Sequence, residues 1–401
     1  MIRAIARCMA ILLALGVSEI PAHSYIIETT VPSSGCPVPN HWPMTGPSSI
    51  RLRWSTSIAP NTIITTAGYA TSQQLAEIGA VVQQSLGAWA GVTGTLANPS
   101  VTPGAVAPIV ETADTNACTN DAESNVDALN TICFNQSSTA FTNDGVLAFT
   151  RVITANAPGA SIGSAPPALF AGQILDSDTL FNNTGEVTFA TPSALSTTAA
   201  AGAYDLESLL THELGHFFGL DHSAIRRAIL YPFAPPPGTF IGQQPTANAP
   251  DAMLSDDDRT GLRVLYPDPA DTVHTGTISG RVLPANPFAL AAIPPASPQQ
   301  PVSGIFGTQV VAEDADTGNI IAATMGGWSC TSSQVQFDGS YQISRLPVPA
   351  NYKVYAEPLD GLATAADFYE TASGLCGASG ASNCIQPAAN TNFTMRVRPS
   401  P

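Results

Sequence analysis

The sequence predicts an α+β domain followed by an all-β domain. Two observations carry that prediction. Residues 71–89 place apolar side chains at helical spacing, a second helix opens at Asp205 and runs through Phe218, and the alternating run 50–54 with the strand-like runs 130–134, 146–153 and 173–181 reads as strands. From about residue 268 the helical period disappears, and only short alternating runs remain, at 277–282, 307–312, 341–343, 352–356 and 393–397. A chain of 401 residues with 44% hydrophobic and 11% charged residues has enough apolar surface for two cores.

The elements follow in chain order. Residues 1–24 read as a secretory signal peptide, because Arg3 and Arg7 precede a short apolar stretch over 8–17. That stretch is too short for a membrane span, which needs about 20 residues, and no later segment is expected to serve as a membrane anchor. Residues 25–49, rich in Pro, Ser and Thr, read as an extended lead-in. Over 71–89 no proline interrupts a helix whose apolar face carries Leu75, Ile78, Val82 and Leu86. Asp205 is a ready N-cap for the helix running through Phe218. Residues 232–250 form a Pro- and Gly-rich loop, and 256–265 a short closing helix stopped by Pro267. The first domain is therefore placed at 50–267 and the second at 268–401, with the boundary at Pro267-Asp268-Pro269.

Charge and cysteines narrow the setting. The formal net charge of -16 disfavours nucleic acid and anionic membranes as partners. Loss of the signal removes Cys8 and leaves six cysteines, an even number that suits disulfides in a secreted protein. Cys118 and Cys133 are expected to pair, while Cys36, Cys330, Cys376 and Cys384 can pair in more than one way.

The segment THELGHFFGLDHS over 211–223 carries the chemistry. His212 and His216, four residues apart, project from one helix face and can meet one ion. Gly219 can end the helix in the left-handed conformation and let the chain bring back His222. Three neutral imidazoles leave the fourth position of a tetrahedral zinc open, as a catalytic site requires. Glu213 is placed to act as general base on a zinc-activated water and to pass the proton to a leaving amine. One zinc per chain is expected.

His212 to His222 spell H-E-x-x-H-x-x-G-x-x-H, the metzincin signature. The segment resembles a matrixin-type metzincin, close to the bacterial members. Asp205-Leu206 before the helix, Ser223 after the third His, Ala228-Ile229-Leu230-Tyr231-Pro232 and the run 254–266 extend the likeness over roughly 50–267. The resemblance implies a twisted mixed sheet beside an active-site helix, and hydrolysis of protein or peptide substrates that pair with the edge strand at 146–153. Leu230 stands where the family carries the Met of its Met-turn, an apolar floor that leucine fills with similar volume. Met253 is an alternative for that role, although it fits the start of the closing helix better. Tyr231 lies one place short of the position of an astacin zinc tyrosine, so no fifth ligand is expected. Asp176 and Asp178 occupy a strand that supplies calcium ligands in the family. Their oxygens suit Ca2+, with solvated strand-end acids as the plainer reading. The run SGCPVPN around Cys36 lacks the Arg and Gly of a zymogen cysteine switch, which favours a disulfide.

In the second domain, GTISGRV at 276–282, Asp338-Gly339-Ser340-Tyr341 and LPVPANY at 346–352 resemble the carboxypeptidase regulatory-like domain. That family implies a transthyretin-like β-sandwich with no chemistry of its own. All residues with chemistry lie before Pro267, so a chain ending there is expected to keep the site. The expected function is a secreted zinc endopeptidase. The alternative is a non-catalytic zinc-containing surface or adhesion protein that binds through its sandwich.

Overall fold

A computed structural model describes residues 20–21, 25–32, 35–44, 50–92, 109–114, 118, 129–136, 141, 145–161, 166–269, 271, 273–284, 303–331 and 334–359. Most of the expected signal, Cys376, Cys384 and the run at 393–397 lie outside the described residues.

The elements of the first half are β1 (Ile20–Pro21), β2 (Thr29–Thr30), β3 (Val38–Pro39), β4 (Ile50–Ser55), β5 (Ile63–Ile64), α1 (Thr71–Ala90), β6 (Ile109–Asp114), β7 (Asn130–Cys133), β8 (Ala148–Thr154), β9 (Ile174–Phe181), β10 (Phe189–Ala190), α2 (Pro192–Leu195), β11 (Tyr204–Asp205), α3 (Leu206–Phe217) and α4 (Asp256–Leu265). A five-stranded sheet runs in the order β6-β4-β7-β9-β8. Its first four strands are parallel, and β8 is antiparallel to β9 at one edge, so the sheet is mixed. The strand read at 146–153 is therefore an edge strand. Both faces of β9 are buried, which explains its long unbroken run.

α1 and α3 pack together against this sheet around one apolar core that includes Trp54, Ile78, Val82, Trp89, Phe181, Leu210 and Leu214. The buried face of α1 is Ile78, Val81, Val82, Ser85, Ala88 and Trp89, which turns Leu75 and Leu86 to its half-buried flanks. Small residues at 85 and 88 bring the two helices close, near enough for the Ser85 hydroxyl to donate to the Glu207 carbonyl at 3.4 Å.

The lead-in is structured. Tyr25 is 1% exposed and covers Gly261, where a Cβ would lie 2.6 Å from its ring. The Trp42 indole donates to the Phe217 carbonyl at 2.8 Å, and Ile27 bridges to Leu220. The Pro- and Ser-rich stretch reads as a linker because its partners lie far away in sequence.

The later strands are β12 (Thr275–Arg281), β13 (Thr308–Asp314), β14 (Ile320–Gly326), β15 (Ser329–Thr331), β16 (Gln334–Gln336), β17 (Ser340–Pro347) and β18 (Tyr352–Glu357). They form the pair β12-β17, the sheet β14-β13-β18 and a small sheet β1-β15-β16. Side chains from the first two, among them Val310, Ala322, Ile343 and Leu346, share one apolar cluster. α4 lies against β14 and β17. Cys118 is bonded to Cys133, and Cys36 to Cys330 across 294 residues.

Candidate metal centre

Helix α3 begins at a satisfied end. The Asp205 carboxylate accepts from the Ser208 N–H at 2.6 Å. The helix ends at Phe217 with Phe218 as its C-cap, and Gly219 follows at φ +94°. A Cβ at Gly219 would also lie 2.0 Å from the Asn40 carbonyl oxygen, so both backbone and space require glycine there. The reversal returns the chain along Ile27 and Ile26, where Asp221 N–H donates to the Ile26 carbonyl at 3.0 Å. His222 arrives on that return.

The imidazoles of His212, His216 and His222 converge, with one nitrogen from each within 4.8 Å of the others. His212 Nδ1 lies 2.7 Å from the Ile229 carbonyl, and His216 Nδ1 lies 2.8 Å from the Leu220 carbonyl. A carbonyl only accepts, so each Nδ1 carries the proton and each Nε2 turns its lone pair inward. The two Nε2 atoms are 3.2 Å apart. Nitrogens around a tetrahedral zinc at about 2.0–2.1 Å are spaced about 3.3 Å, so the donor set fits the ion by chemistry and by size. Burial, then the neighbouring His222, lowers His212 to about 3, and the same causes hold His216 well below its usual value. Both rings therefore remain neutral, the form that binds metal.

Glu213, 4% exposed, sits beside this cluster. Burial pushes its carboxyl up to about 7, opposed by a hydrogen bond from Thr150. The Thr150 hydroxyl reaches Glu213 Oε2 at 2.7 Å from β8 and lies 2.8 Å from the Thr179 hydroxyl of β9. With its proton donated to the carboxylate, Thr150 accepts from Thr179, and this chain fixes the rotamer of Glu213.

Leu230, fully buried, closes the floor. Gly215 makes room for it, since a Cβ there would lie 2.7 Å from a Leu230 methyl and 2.9 Å from the Trp89 ring. Asp258, in the capping box of α4, accepts from the N–H groups of Ile229 at 2.9 Å and Leu230 at 3.4 Å. Met253 is also buried in the core, on the segment leading into α4. Asp176 and Asp178 are not solvated strand-end acids: both lie within β9 and are buried, at 0% and 2% exposed, and Asp178 accepts from the Thr131 N–H and hydroxyl at 3.1 and 2.8 Å and pairs with Arg151. Among the described residues, only the three imidazoles form a group able to hold a metal.

Sequence reasoning missed Thr150 and Glu28, and gave Tyr266, in the run 254–266, no role of its own. Glu28 brings a carboxylate oxygen 3.7 Å from His216 Nδ1, and the Tyr266 hydroxyl donates to the Phe218 carbonyl at 2.6 Å at the end of α3. None has a local pattern that announces it.

Residues 158–267 match the family described as Matrixin. Metalloendoproteinase 1 of Glycine max is 33% identical over 109 residues, covering 27% of this chain and 30% of the relative. Metalloendoproteinase 1-MMP of Arabidopsis thaliana is 36% identical over 95 residues, 21% of this chain and 23% of the relative. Metalloendoproteinase 2-MMP of the same plant is 38% identical over 74 residues, 18% and 16% of the two chains. The chain thus spans less than a third of the length of these relatives. The segment that carries His212, Glu213, His216 and His222 is similar to a matrixin metallopeptidase domain, a family that implies a catalytic zinc.

Proposed function

We propose that the protein is a secreted zinc endopeptidase of matrixin type. The observation that carries this reading is the convergence of three imidazoles beside a buried carboxylate. His212, His216 and His222 would hold the ion through a face left open for water and substrate. Zinc, when bound, supplies a Lewis acid that makes water acidic and polarises a carbonyl. Glu213 then takes the proton of the attacking water and delivers it to the leaving amine, while Thr150 keeps the carboxylate aimed. Among the described residues β8 is the outer strand of the five-stranded sheet, beside the site, and an extended peptide can add along it as a further strand. Protein or peptide substrates suit that edge. The two disulfides, together with the signal-like N-terminus, support an oxidising, extracytoplasmic location. In this reading the second half is a β-sandwich without chemistry, and Asp178 is structural.

The test is zinc content beside peptide turnover for the wild type, Glu213→Ala and His216→Ala. Glu213→Ala is expected to keep its zinc and lose about 10²–10⁴-fold in turnover. His216→Ala is expected to lose both together. Undiminished cleavage by zinc-loaded Glu213→Ala would overturn the mechanism. A zinc-loaded wild type that cleaves no unfolded protein would favour the adhesion alternative.

A further inference from the structure

β14 is the outer strand of the sheet β14-β13-β18, so alternate residues turn their N–H and C=O away from β13. Such an edge invites pairing with other chains unless something covers it. Here the first half of the molecule covers it. The Ala323 N–H donates to Asp257 Oδ1 at 2.7 Å. The Ala323 carbonyl accepts from the Tyr25 N–H at 2.8 Å. The Thr260 hydroxyl, which lies 2.8 Å from the Asp256 carbonyl of its own helix, also comes within 3.3 Å of the Ile321 carbonyl.

The other oxygen of Asp257 leads to the metal centre. It accepts from the hydroxyl of Ser223, the residue after His222. Ser223 N–H donates to the Leu230 carbonyl at 2.8 Å, and its Oγ accepts from the Ile225 N–H at 3.1 Å. Asp257 is 1% and Ser223 2% exposed. Beneath them Ile26, Met325 and Leu359 form one apolar cluster with Ala224. That cluster joins the lead-in, the loop after the third imidazole and the later sheet.

We propose that β14 is part of the framework of the metal centre, with Asp257 as a positioning residue that fixes the His222 loop to it. The proposal rests on the reading of the three histidines as a zinc site. His212 and His216 are held by a helix and by a carbonyl on each ring. His222 stands on a loop, beyond the last turn of α3. Its direction depends on what clamps that loop, and a carboxylate buried between a loop hydroxyl and a strand N–H is such a clamp. Asp257 acts on His222 through its neighbour Ser223, and groups that pre-order a ligand raise metal affinity because they spare the ion that cost.

The experiment uses the full chain, loaded with zinc and mixed with excess chromogenic chelator, and follows the rate of zinc transfer. Asp257→Ala is expected to release zinc about tenfold faster than the wild type. Ala323→Pro removes the N–H that points from the outer strand to Asp257, fixes φ at 323 and leaves the ladder to β13 in place; it is expected to do the same, although it lies in the later half of the chain. Asp257→Asn keeps an acceptor for Ala323 and a polar partner for Ser223, and is expected to restore most of the retention. Thr260→Val touches the same strand without touching the His222 loop. It is expected to release zinc at the wild-type rate even where its melting temperature falls. If Asp257→Ala fails to fold, Ala323→Pro carries the test. Release from Ala323→Pro at the Thr260→Val rate would overturn the proposal while leaving the zinc reading intact. A wild type that takes up no zinc would overturn both, and is read separately from the variants.

Discussion

Thr150 shows how a site gains a part that no motif contains. Its hydroxyl comes from a strand 63 residues away from Glu213 and reaches the carboxylate at 2.7 Å. Thr150→Val keeps the shape of the strand and removes the donor. Hydrogen bonds to charged groups contribute about 1.5–3 kcal/mol, so turnover is expected to fall roughly tenfold or more with little change in KM. Thr150→Ser should restore most of it, and steady-state kinetics of the two variants check both statements. Leu230 calls for the opposite forecast. Its methyls fill the space that Gly215 leaves, and methionine can fill a similar volume. Zinc affinity and turnover of Leu230→Met are expected within a few-fold of the wild type; a large gain in turnover would contradict the role of Leu230 as a passive floor. The imidazoles and Glu213 were legible because one helix and one glycine turn set their spacing. Thr150, Glu28 and Tyr266 were not, since each is brought in by sheet order or by the lead-in.

Helix α3 and its neighbours show the same division. Its range, its cap at Asp205 and the closing helix were readable from period and capping chemistry. The turn of α1 that buries Ser85 instead of Leu86 was not, because it is decided by what lies opposite. Strand β6 and the short parallel pairs β5-β10-β11 also escaped, being too brief or too polar to show alternation. At the start of α3, Glu207 is 1% exposed, and burial followed by repulsion from Asp205 pushes its carboxyl up to about 7. The unfolded chain therefore loses this proton first, near pH 4.5, and the folded chain near pH 7. Between those values the folded state binds more protons, so the contribution of Glu207 to stability is present below about 4.5 and is lost as pH rises through 7. Glu207→Gln carries no charge at any pH. Its stability relative to the wild type is expected to rise between pH 5 and 8, by roughly 2 kcal/mol. Urea midpoints at the two pH values measure this, and a flat difference would refute it.

The two halves of the molecule meet more closely than the sequence suggests. The change in composition near residue 268 separates helix-bearing from all-strand sequence, and every chemical residue lies before it. Nothing local reveals that β14 lies under α4, or that Cys36 is bonded to Cys330. A chain ending at Pro267 would expose the Tyr25 N–H, the Asp257 carboxylate and the apolar side of Ile26, all covered in the full chain. Against the expectation from sequence, such a chain should be less soluble and should lose zinc to a chelator about tenfold faster than the full protein. A truncated form with unchanged zinc retention and solubility would show the later half to be dispensable.

The bond between Cys36 and Cys330 also orders events in time. A ribosome releases residue 36 long before residue 330, and protein domains tend to fold as they emerge. Here the segment at Tyr25 must wait for Ala323 before its N–H finds a carbonyl, and Asp257 must wait for the same residue. A nascent chain with all three histidines already made still lacks the strand against which their loop settles. The framework of the three-histidine loop is therefore closed only after residue 323 has been made.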